Sequence, residues 1–524
     1  MMDINASVIV SSMERINHYF AANYREISPL RLFFTAVILL GAIVLIGAVN
    51  LVYQRYFSPL SHIPGPWWAG STFLYCRLLS DGTFNKKVQE LHEKYGDVVR
   101  VAPREVSFIC GEVAWDEIYG FRAGSKKSET FLKDRYWIAK VDPPSMIAAD
   151  GADHTRFRRL LSHAFSNKAL KDQEPLIQAS MDLFIDGLKK EVQVRSDGVV
   201  DLVKWFNRLT LDVIGDLTFG KSFDCLTKGN DQFVEMVDNM LHAGAQGRVR
   251  HLQPMLGTLS TMLGLEMVPV SALKTIPQFI KFSRDAVDER LNSEVDRPDF
   301  ISQIVQYNDV KGKGMTRDEL DSNCIQFLIA GSETSATALS GITYLLCTNS
   351  VYMEKLKKEI RHRFSGYKDL TFDALDDIPL DAVINEGLRI YPPVPTGFPR
   401  LVPSGGATIG EYYIPAKTSV YMSQFAANQC GRNFVNPKNF FPERWMGDPD
   451  SHKDKKKVYQ PFSYGPRGCI GKNLAYAEMR VALARLLFHF DLELQANVDD
   501  WLDQKVWVTW NKKPLLVKLR LVET

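Results

Sequence analysis

The ten residues FSYGPRGCIG at positions 462–471 place a single cysteine, Cys469, near the end of a glycine-rich loop. The residues that follow, 472–490, have the apolar pattern of a helix. Glycine lets backbone approach the sulfur closely, and the free N–H groups at the start of a helix favour a thiolate. The loop therefore predicts a thiolate site. Ligation of an iron and nucleophilic catalysis are two uses of such a site, and a small buried thiol is the alternative without chemistry.

Every fixed position of this loop matches the pattern FxxGxRxCxG, so the loop resembles the haem-binding loop of the cytochrome P450 family. The resemblance extends from about residue 64 to the C-terminus. It implies a mainly α-helical fold with small β-sheets, in which haem lies between a long distal helix and the cysteine loop. It also implies haem b with the thiolate of Cys469 as its axial ligand, Phe462 against the cofactor and Arg467 on a propionate.

A second pattern, ExxR, is formed by Glu386 and Arg389 on a predicted helix over residues 380–388. Residues three apart share a helix face, but exposed pairs of this kind are common and contribute little. Arg444 follows in a PER segment. In the family an ExxR pair and this arginine form a buried network behind the haem loop. The resemblance therefore implies a structural role for Glu386, Arg389 and Arg444, because losing one partner would leave a buried charge uncompensated.

The segment AGSETS at residues 330–335 lies inside a long helical pattern that contains no proline. Residues 316–319, TRDE, predict a capping box at its start. A threonine in mid-helix can donate to the carbonyl four residues earlier, and Gly331 removes side-chain bulk nearby. We therefore predict a kinked groove with the acid Glu333 and the hydroxyl of Thr334 at its lip, suited to holding water and passing protons.

An ordinary surface acid beside a back-bonded threonine is the alternative for this pair. The segment resembles the oxygen-activation motif of the cytochrome P450 family, [AG]-G-x-[DE]-T-[TS]. The resemblance implies that Glu333 and Thr334 are catalytic and that Ala330 and Gly331 lie beside the cofactor.

Three further residues are candidates for haem binding. Residues 153–159, DHTRFRR, resemble the family's WxxxR segment, with His154 in the position of the tryptophan. The resemblance implies that Arg158 pairs with a propionate, since a guanidinium binds carboxylates through two parallel bonds. Because His154 departs from the pattern, a capping or core histidine is the alternative there. Arg400 is a further candidate for a propionate, and a solvated arginine is its alternative.

A membrane segment is predicted near the N-terminus. Residues 32–49 contain no charged side chain, and with residues 51 and 52 they reach the length that crosses a hydrocarbon core of about 30 Å. A buried globular helix is the alternative. The prolines that follow predict a stiff connector. We expect an N-terminal tail over residues 1–30, a transmembrane anchor over 31–53, a proline-rich connector over 54–66 and a catalytic domain over 67–524.

The charges around this segment do not decide its orientation. Arg15, Arg25 and Arg31 precede it and only Arg55 closely follows, which favours a cytosolic N-terminus. Asn5 begins a glycosylation sequon, which points the other way. The segment resembles the anchor of microsomal members of the family, which implies a single-pass protein of the endoplasmic reticulum membrane with its catalytic domain in the cytosol.

Composition excludes several classes of protein. Of the 524 residues, 63 are Lys or Arg and 61 are Asp or Glu, so the formal net charge of +2 gives no basic excess for binding nucleic acid. The seven cysteines include no CxxC pair, which argues against a zinc ribbon, a cysteine-rich iron–sulfur motif and a dense disulfide framework. Most of these thiols are expected to be reduced in a cytosolic domain.

The pattern along the chain predicts mostly helices with short strands. Helices are expected over residues 84–95, 154–165, 175–192 and 202–219, and strands over 98–101 and 106–109. The charge run KDKKK at residues 453–457 is predicted to be a solvated loop.

The resemblance implies a haem-thiolate monooxygenase that oxidises a lipophilic small molecule with O₂. No flavin or nicotinamide fingerprint is evident, so electrons are expected from a separate NADPH-dependent cytochrome P450 reductase, with cytochrome b5 as an optional second donor. Arg156, Arg158 and Arg159 are candidates for part of the docking face. Residues 255–276, rich in Leu, Met and Val, resemble the family's substrate mouth at the membrane, with a core hairpin as the alternative.

The segment PVPTGFPRLVPSGG at residues 393–406 is similar to filamentous-fungal members that serve secondary-metabolite biosynthesis. Two other functions remain open. One is a haem-thiolate isomerase or dehydratase that works without a reductase, against which Thr334 argues. The other is a membrane-anchored haem or lipid binder without catalysis, against which the intact Glu333–Thr334 pair argues.

Overall fold

A computed structural model describes residues 29–122, 130–135, 137, 141–252, 270–308, 314–376, 378–495 and 500–522. The chain divides into two compact units, residues 1–61 and 62–524. The N-terminal tail with Asn5 lies outside the described residues, as do most of the residues predicted to form the substrate mouth.

The first unit contains one long apolar helix, α1, over Pro29–Tyr56. Its most apolar window has a mean hydropathy of 2.8, and its apolar side chains are exposed along the helix. Twenty-eight residues rise about 42 Å at 1.5 Å per residue, which is enough to cross a hydrocarbon core. The helix is therefore long and apolar enough to span a membrane.

The second unit is mainly helical. Its helices are α2 Thr72–Ser80, α3 Phe84–Tyr95, α4 Gly111–Ala114, α5 Gly151–Leu161, α6 Asn167–Val194, α7 Leu202–Phe219, α8 Cys225–Lys228, α9 Gln232–Leu252, α10 Val270–Leu291, α11 Phe300–Asn308, α12 Arg317–Thr348, α13 Ser350–Arg363, α14 Phe372–Leu375, α15 Leu380–Ile390, α16 Gln424–Asn428 and α17 Lys472–His489.

The strands of this unit are short. They are β1 Val98–Ala102, β2 Glu105–Phe108, β3 Leu132–Lys133, β4 Val199–Asp201, β5 Arg400–Leu401, β6 Ala407–Ile409, β7 Tyr412–Ile414, β8 Ser419–Met422, β9 Phe490–Leu494 and β10 Leu516–Leu521. They form a five-stranded sheet in the order β1-β2-β8-β5-β3, a three-stranded sheet in the order β4-β10-β9, and the hairpin β6-β7.

Helix α12 is the central element of the unit, and it packs along α7, α15 and α17. Thr316 caps its start, since the hydroxyl accepts the N–H of Glu319 and the Glu319 carboxylate accepts the N–H of Thr316 at 2.8 Å. The predicted capping box is confirmed. The helix is continuous over 32 residues, so the long helix predicted over this proline-free stretch is confirmed.

The cysteine loop needs glycine at one position for a physical reason. Gly465 has a φ of +72°, in the left-handed region, and a Cβ there would collide with the carbonyl oxygen of Tyr119. Behind the loop, the N–H of Cys469 donates to the carbonyl of Phe462 at 2.8 Å. This bond closes the loop so that the cysteine comes just before the first turn of α17.

Four fully buried charged side chains join α15 to the chain that leads to this loop. Glu386 accepts two bonds from Arg389, at 2.8 and 2.9 Å, and Arg444 lies 2.9 Å from the same carboxylate. Arg444 also donates to Asp454 at 2.5 Å, and all four side chains have no solvent exposure. Two carboxylates balance two guanidiniums, which is the condition under which buried ions are tolerated. We call these residues the buried tetrad.

The remaining donors of the tetrad hold backbone carbonyls. Arg389 donates to the carbonyls of Asn428, Pro437 and Asn439 at 2.8, 2.6 and 3.1 Å. Arg389 thus ties the end of α16 to the irregular chain around residues 437–439.

Two predictions about the chain were wrong. Asp454 was expected in a solvated charge run, but its carboxylate is buried against Arg444. Sequence cannot show which member of a charge run turns inward. A helix was expected from Pro175, but α6 begins at Asn167, with the Ser166 hydroxyl as its cap. The buried side chains on both sides of Pro175 keep the helix continuous despite the missing N–H.

We predict that Glu386→Gln destabilises the catalytic unit by about 3–5 kcal/mol, because it leaves two buried guanidiniums with one carboxylate. Urea unfolding of the haem-loaded protein would measure the change. The control is Glu493→Gln, which removes an exposed partner of Arg520 and should cost about 0–1 kcal/mol. Equal effects of the two variants would contradict the structural role of the tetrad.

Candidate active site

A large cavity lies between helix α12 and the cysteine loop. Its empty volume is about 1660 Å³, a figure that includes the open space at its mouth. The lining is mostly apolar. It includes all eight predicted cofactor residues, namely Cys469, Arg467, Arg158, His154, Arg400, Phe462, Ala330 and Gly331, together with Thr334.

Cys469 presents its thiol to this cavity. The residue is exposed to the cavity space, yet protein surrounds the sulfur and this burial raises the pKa of the thiol. The backbone N–H of Gly471 and the charges of Arg158 and Lys472 act in the opposite direction and favour the thiolate. A metal ion at this sulfur would supply the missing positive charge, since a coordinating thiol is deprotonated outright.

Three cations gather at one end of the cavity. Lys133 and Arg400 are paired residues on the neighbouring strands β3 and β5, and like charges directly opposite each other are unfavourable. Arg467 lies close by and forms an ion pair with Asp150 at 3.0 Å. We call Lys133, Arg400 and Arg467 the cation cluster.

The charges of this cluster perturb one another. Burial, followed by repulsion from Arg467, lowers the pKa of Lys133 to about 7, and burial lowers the pKa of Arg400 to about 10. The carboxylate of Asp150 opposes both of these pKa shifts but does not cancel them. A buried excess of positive charge fits an anionic ligand, and two ligand carboxylates would balance it.

A thiol on one side, an apolar interior and a cationic rim together fit a flat, apolar iron macrocycle that carries carboxylates. The comparison with known protein families agrees, because residues 62–519 match the family model described as Cytochrome P450. The chain belongs to the cytochrome P450 family. Membership implies a haem-thiolate centre, and the residues that line this cavity fit that group.

The P450 has close fungal relatives. Cytochrome P450 monooxygenase lcsI of Purpureocillium lilacinum is 44% identical over 480 residues, which cover 90% of this chain and 92% of that one. Cytochrome P450 monooxygenase efuB of Hormonema carpetanum is 42% identical, with 90% and 94% covered. Averantin hydroxylase of Dothistroma septosporum is 38% identical, with 92% and 90% covered. The chain is thus a P450 monooxygenase, as the resemblance implied.

On the distal side of the cavity, Thr334 lines the wall and Glu333 does not. Thr334 lines the cavity and donates to the carbonyl of Ala330 at 2.7 Å, the local bond that the sequence predicted. Gly331 is required beside it, since a Cβ there would lie 2.6 Å from the Cδ1 atom of Ile214. Removing side-chain bulk at this position therefore lets α12 approach α7.

Glu333 was expected beside Thr334 at the lip of a groove, and the structure corrects this placement. Its buried carboxylate forms an ion pair with Lys512 and accepts a bond from Thr337 at 3.2 Å, and it does not line the cavity. Successive residues of a helix point about 100° apart, so neighbours in sequence need not share a face. Nothing in the sequence indicated that Lys512, far along the chain, is the partner of Glu333.

On the other side of the cavity, Arg158 donates to the carbonyl of Gly468 in the cysteine loop. This bond ties Arg158 to the cysteine loop. Arg158 also lines the cavity, where its predicted partner is a haem propionate. His154 is buried among cations, and burial and repulsion by Lys133 lower its pKa to about 3. The neutral imidazole can meet an anionic ligand only as a hydrogen-bond donor.

Two functional candidates escaped the sequence analysis. Lys133 belongs to the cation cluster, but a lysine in a short strand carries no motif. Glu478 lines the cavity from α17, and Ser335 of α12 donates to it at 2.9 Å. Burial raises the pKa of Glu478 to about 8, so this carboxyl is largely neutral at pH 7. Its position nine residues after Cys469, in the middle of an apolar helix, was the signal that could have found it.

Residues 255–269 of the predicted mouth lie outside the described residues. Among the described residues, Met146, Ile147, Gly397 and Phe398 line the cavity.

The raised pKa of Glu478 predicts how stability depends on pH. Between about pH 4.5 and pH 8 the native state holds a proton that the unfolded state releases, so stability falls as the pH rises through this window. The full slope is about 1.4 kcal/mol per pH unit. In Glu478→Gln this loss should disappear, and thermal unfolding of the haem-loaded protein across the window would measure it.

Glu359→Gln is the control, because this glutamate is exposed on α13. Its unfolding midpoint should follow the wild-type pH profile. If Glu478→Gln also keeps that profile, the carboxyl is not held neutral in the native state.

Proposed function

We propose that this P450 is a membrane-anchored haem-thiolate monooxygenase that receives electrons from a separate NADPH-dependent reductase, with cytochrome b5 as an optional second donor. Its substrate is a lipophilic small molecule, and its role lies in fungal secondary-metabolite biosynthesis. The observation that carries the proposal is a single apolar cavity that has Cys469 on one wall and Thr334 on the opposite wall.

Haem b, when bound, supplies the redox chemistry that activates O₂ and oxidises an unactivated C–H bond. The thiolate of Cys469 would bind its iron. The cation cluster and His154 would hold its carboxylates, and Phe462 would pack against its face. Arg158 positions the carbonyl of Gly468 and so orients the cysteine loop.

Thr334 controls protons on the distal side. Its hydroxyl faces the cavity while its own proton is given to the carbonyl of Ala330, so its oxygen is free to accept a bond from water in the cavity. Such a hydroxyl fixes the place where a proton arrives. Glu333 faces Lys512, so any part it takes in proton delivery requires that ion pair to open.

The second candidate, an isomerase or dehydratase that needs no reductase, has no use for a proton-positioning hydroxyl. The cavity-facing Thr334 therefore favours the monooxygenase. A lipid or haem binder without catalysis would equally need neither this hydroxyl nor the neutral acid Glu478 nearby.

Two of the three arginines expected in the reductase-docking face, Arg156 and Arg158, are engaged within the protein. Arg156 forms ion pairs with Glu319 and Asp153 at 2.6 and 3.0 Å, and Arg158 points into the cysteine loop. Arg159 alone of the three is exposed. We therefore retain Arg159 as the docking candidate from this group.

Helix α1 is proposed as the membrane anchor, with the catalytic unit on the cytosolic side of the endoplasmic reticulum. Its length and apolar surface support an anchor, and the apolar cavity suits a substrate that partitions into membranes.

Thr334→Ala tests the proposed function. The variant should keep the carbon monoxide spectrum and consume NADPH with a reductase, but release hydrogen peroxide in place of oxidised product. Losing a proton-relay group lowers the rate of product formation by about 10²–10⁴-fold. NADPH oxidation, peroxide and the oxidised form of a lipophilic probe would be measured together.

The control is Ser340→Ala on the same helix. Ser340 also donates to the carbonyl four residues earlier, at 2.7 Å, but does not line the cavity. It should keep the wild-type yield of product per NADPH. An unchanged yield in Thr334→Ala, or turnover without a reductase, would reject the proposed role.

The anchor has its own test. A chain lacking residues 1–56 should leave the membrane fraction and keep the carbon monoxide spectrum, because the second unit begins at residue 62. A chain lacking only residues 1–28 keeps α1 and should stay in the membrane fraction. Membrane retention of the longer deletion would show that α1 is not the anchor.

A further inference from the structure

Two amide side chains enter the distal wall of the cavity from α12, Asn323 and Gln326. The amide of Asn323 is engaged at both ends. Its oxygen accepts the N–H of Met146 at 2.8 Å, and its nitrogen donates to the carbonyl of Glu319 at 2.8 Å. Gln326, within the part of the chain that the structure describes, has no hydrogen-bond partner. Of these two α12 amides, Gln326 is therefore the one whose side chain can bond a ligand.

The cavity as a whole has a mostly apolar lining, and Phe165, Ile214, Phe327 and Ala330 are among its lining residues. In an apolar pocket a small number of polar groups decide how a ligand is oriented. A primary amide both donates and accepts, so it can bind a hydroxyl or a carbonyl oxygen.

Gln326 and Thr334 lie on the same helix, α12, which fixes the distance between them. Gln326, Ala330 and Thr334 follow at intervals of four residues and all line the cavity. Eight residues of helix rise about 12 Å at 1.5 Å per residue. Because α12 is capped and continuous, this separation depends on a helix and not on a loop.

Resting on the proposed function, we propose that Gln326 binds an oxygen of the substrate and thereby selects the carbon that is oxidised beside Thr334. The substrate class is a lipophilic molecule that carries a hydroxyl or carbonyl group about 12 Å from the oxidised carbon. Gln326 is a specificity-determining residue, and it takes no part in the chemical step.

The test uses a matched pair of probes, para-heptylphenol and heptylbenzene, which differ by one hydroxyl group. Spectral titration of the full-length, haem-loaded protein gives a dissociation constant for each probe. The wild type should bind the phenol roughly three- to tenfold more tightly, as expected for one hydrogen bond in an apolar site. In Gln326→Leu this preference should vanish, while the constant for heptylbenzene stays within about twofold.

The control is Gln306→Leu, the same change at an exposed glutamine on α11 that does not line the cavity. It should keep the wild-type preference for the phenol. Gln326→Met is a second apolar variant, so that the result does not depend on how well one side chain packs. With a reductase supplied, the wild type should oxidise para-heptylphenol mainly at one position of its chain, and both Gln326 variants should spread the products over several positions.

The outcomes separate the inference from the proposed function. No preference for the phenol in the wild type, as when water alone solvates the amide, would overturn the role of Gln326. A preference that persists in both Gln326 variants would do the same. Each of these results is obtained with an intact carbon monoxide spectrum, whereas failure of the proposed function would appear as the loss of that spectrum or as turnover without a reductase.

Discussion

The buried tetrad of Glu386, Arg389, Arg444 and Asp454 is the interaction on which the geometry of this enzyme depends. Helix α15 packs on α12, and the tetrad ties α15 to the irregular chain that precedes the cysteine loop. That chain has little secondary structure, so its position depends on arginine bonds to its carbonyls. The tetrad thus sets the gap between Cys469 and the distal helix. Its charges cancel, which makes complete burial tolerable and the loss of any one member costly.

The cavity that this gap creates has two different ends. The cation cluster and Asp150 make one end polar and positively charged, and the distal wall around Gln326 is apolar. A cofactor with carboxylates on one edge would therefore bind in a single orientation. On the wall formed by α17, burial keeps the Glu478 carboxyl largely neutral, and this carboxyl accepts a hydrogen bond from Ser335 of α12.

The fold and most residues of the site could be predicted from the sequence alone. The FSYGPRGCIG loop, the capping box at Thr316 and the bond from Thr334 to Ala330 were predictable because each depends on residues close in sequence. The direction of Glu333 was not predictable, since it depends on Lys512, 179 residues away. Asp454, Lys133 and Glu478 were missed for a related reason. Burial and partners from other elements decide their roles, and a single sequence does not display them.

The central claim is that Cys469 presents a thiolate to haem, and the absorption spectrum of the reduced protein with carbon monoxide tests it most directly. The full-length protein should show the strongly red-shifted Soret band of thiolate-ligated haem. Cys469→Ser should lose this band, and Cys347→Ser, at a cysteine that does not line the cavity, should keep it. A folded wild-type protein with the spectrum of histidine-ligated haem would contradict the account.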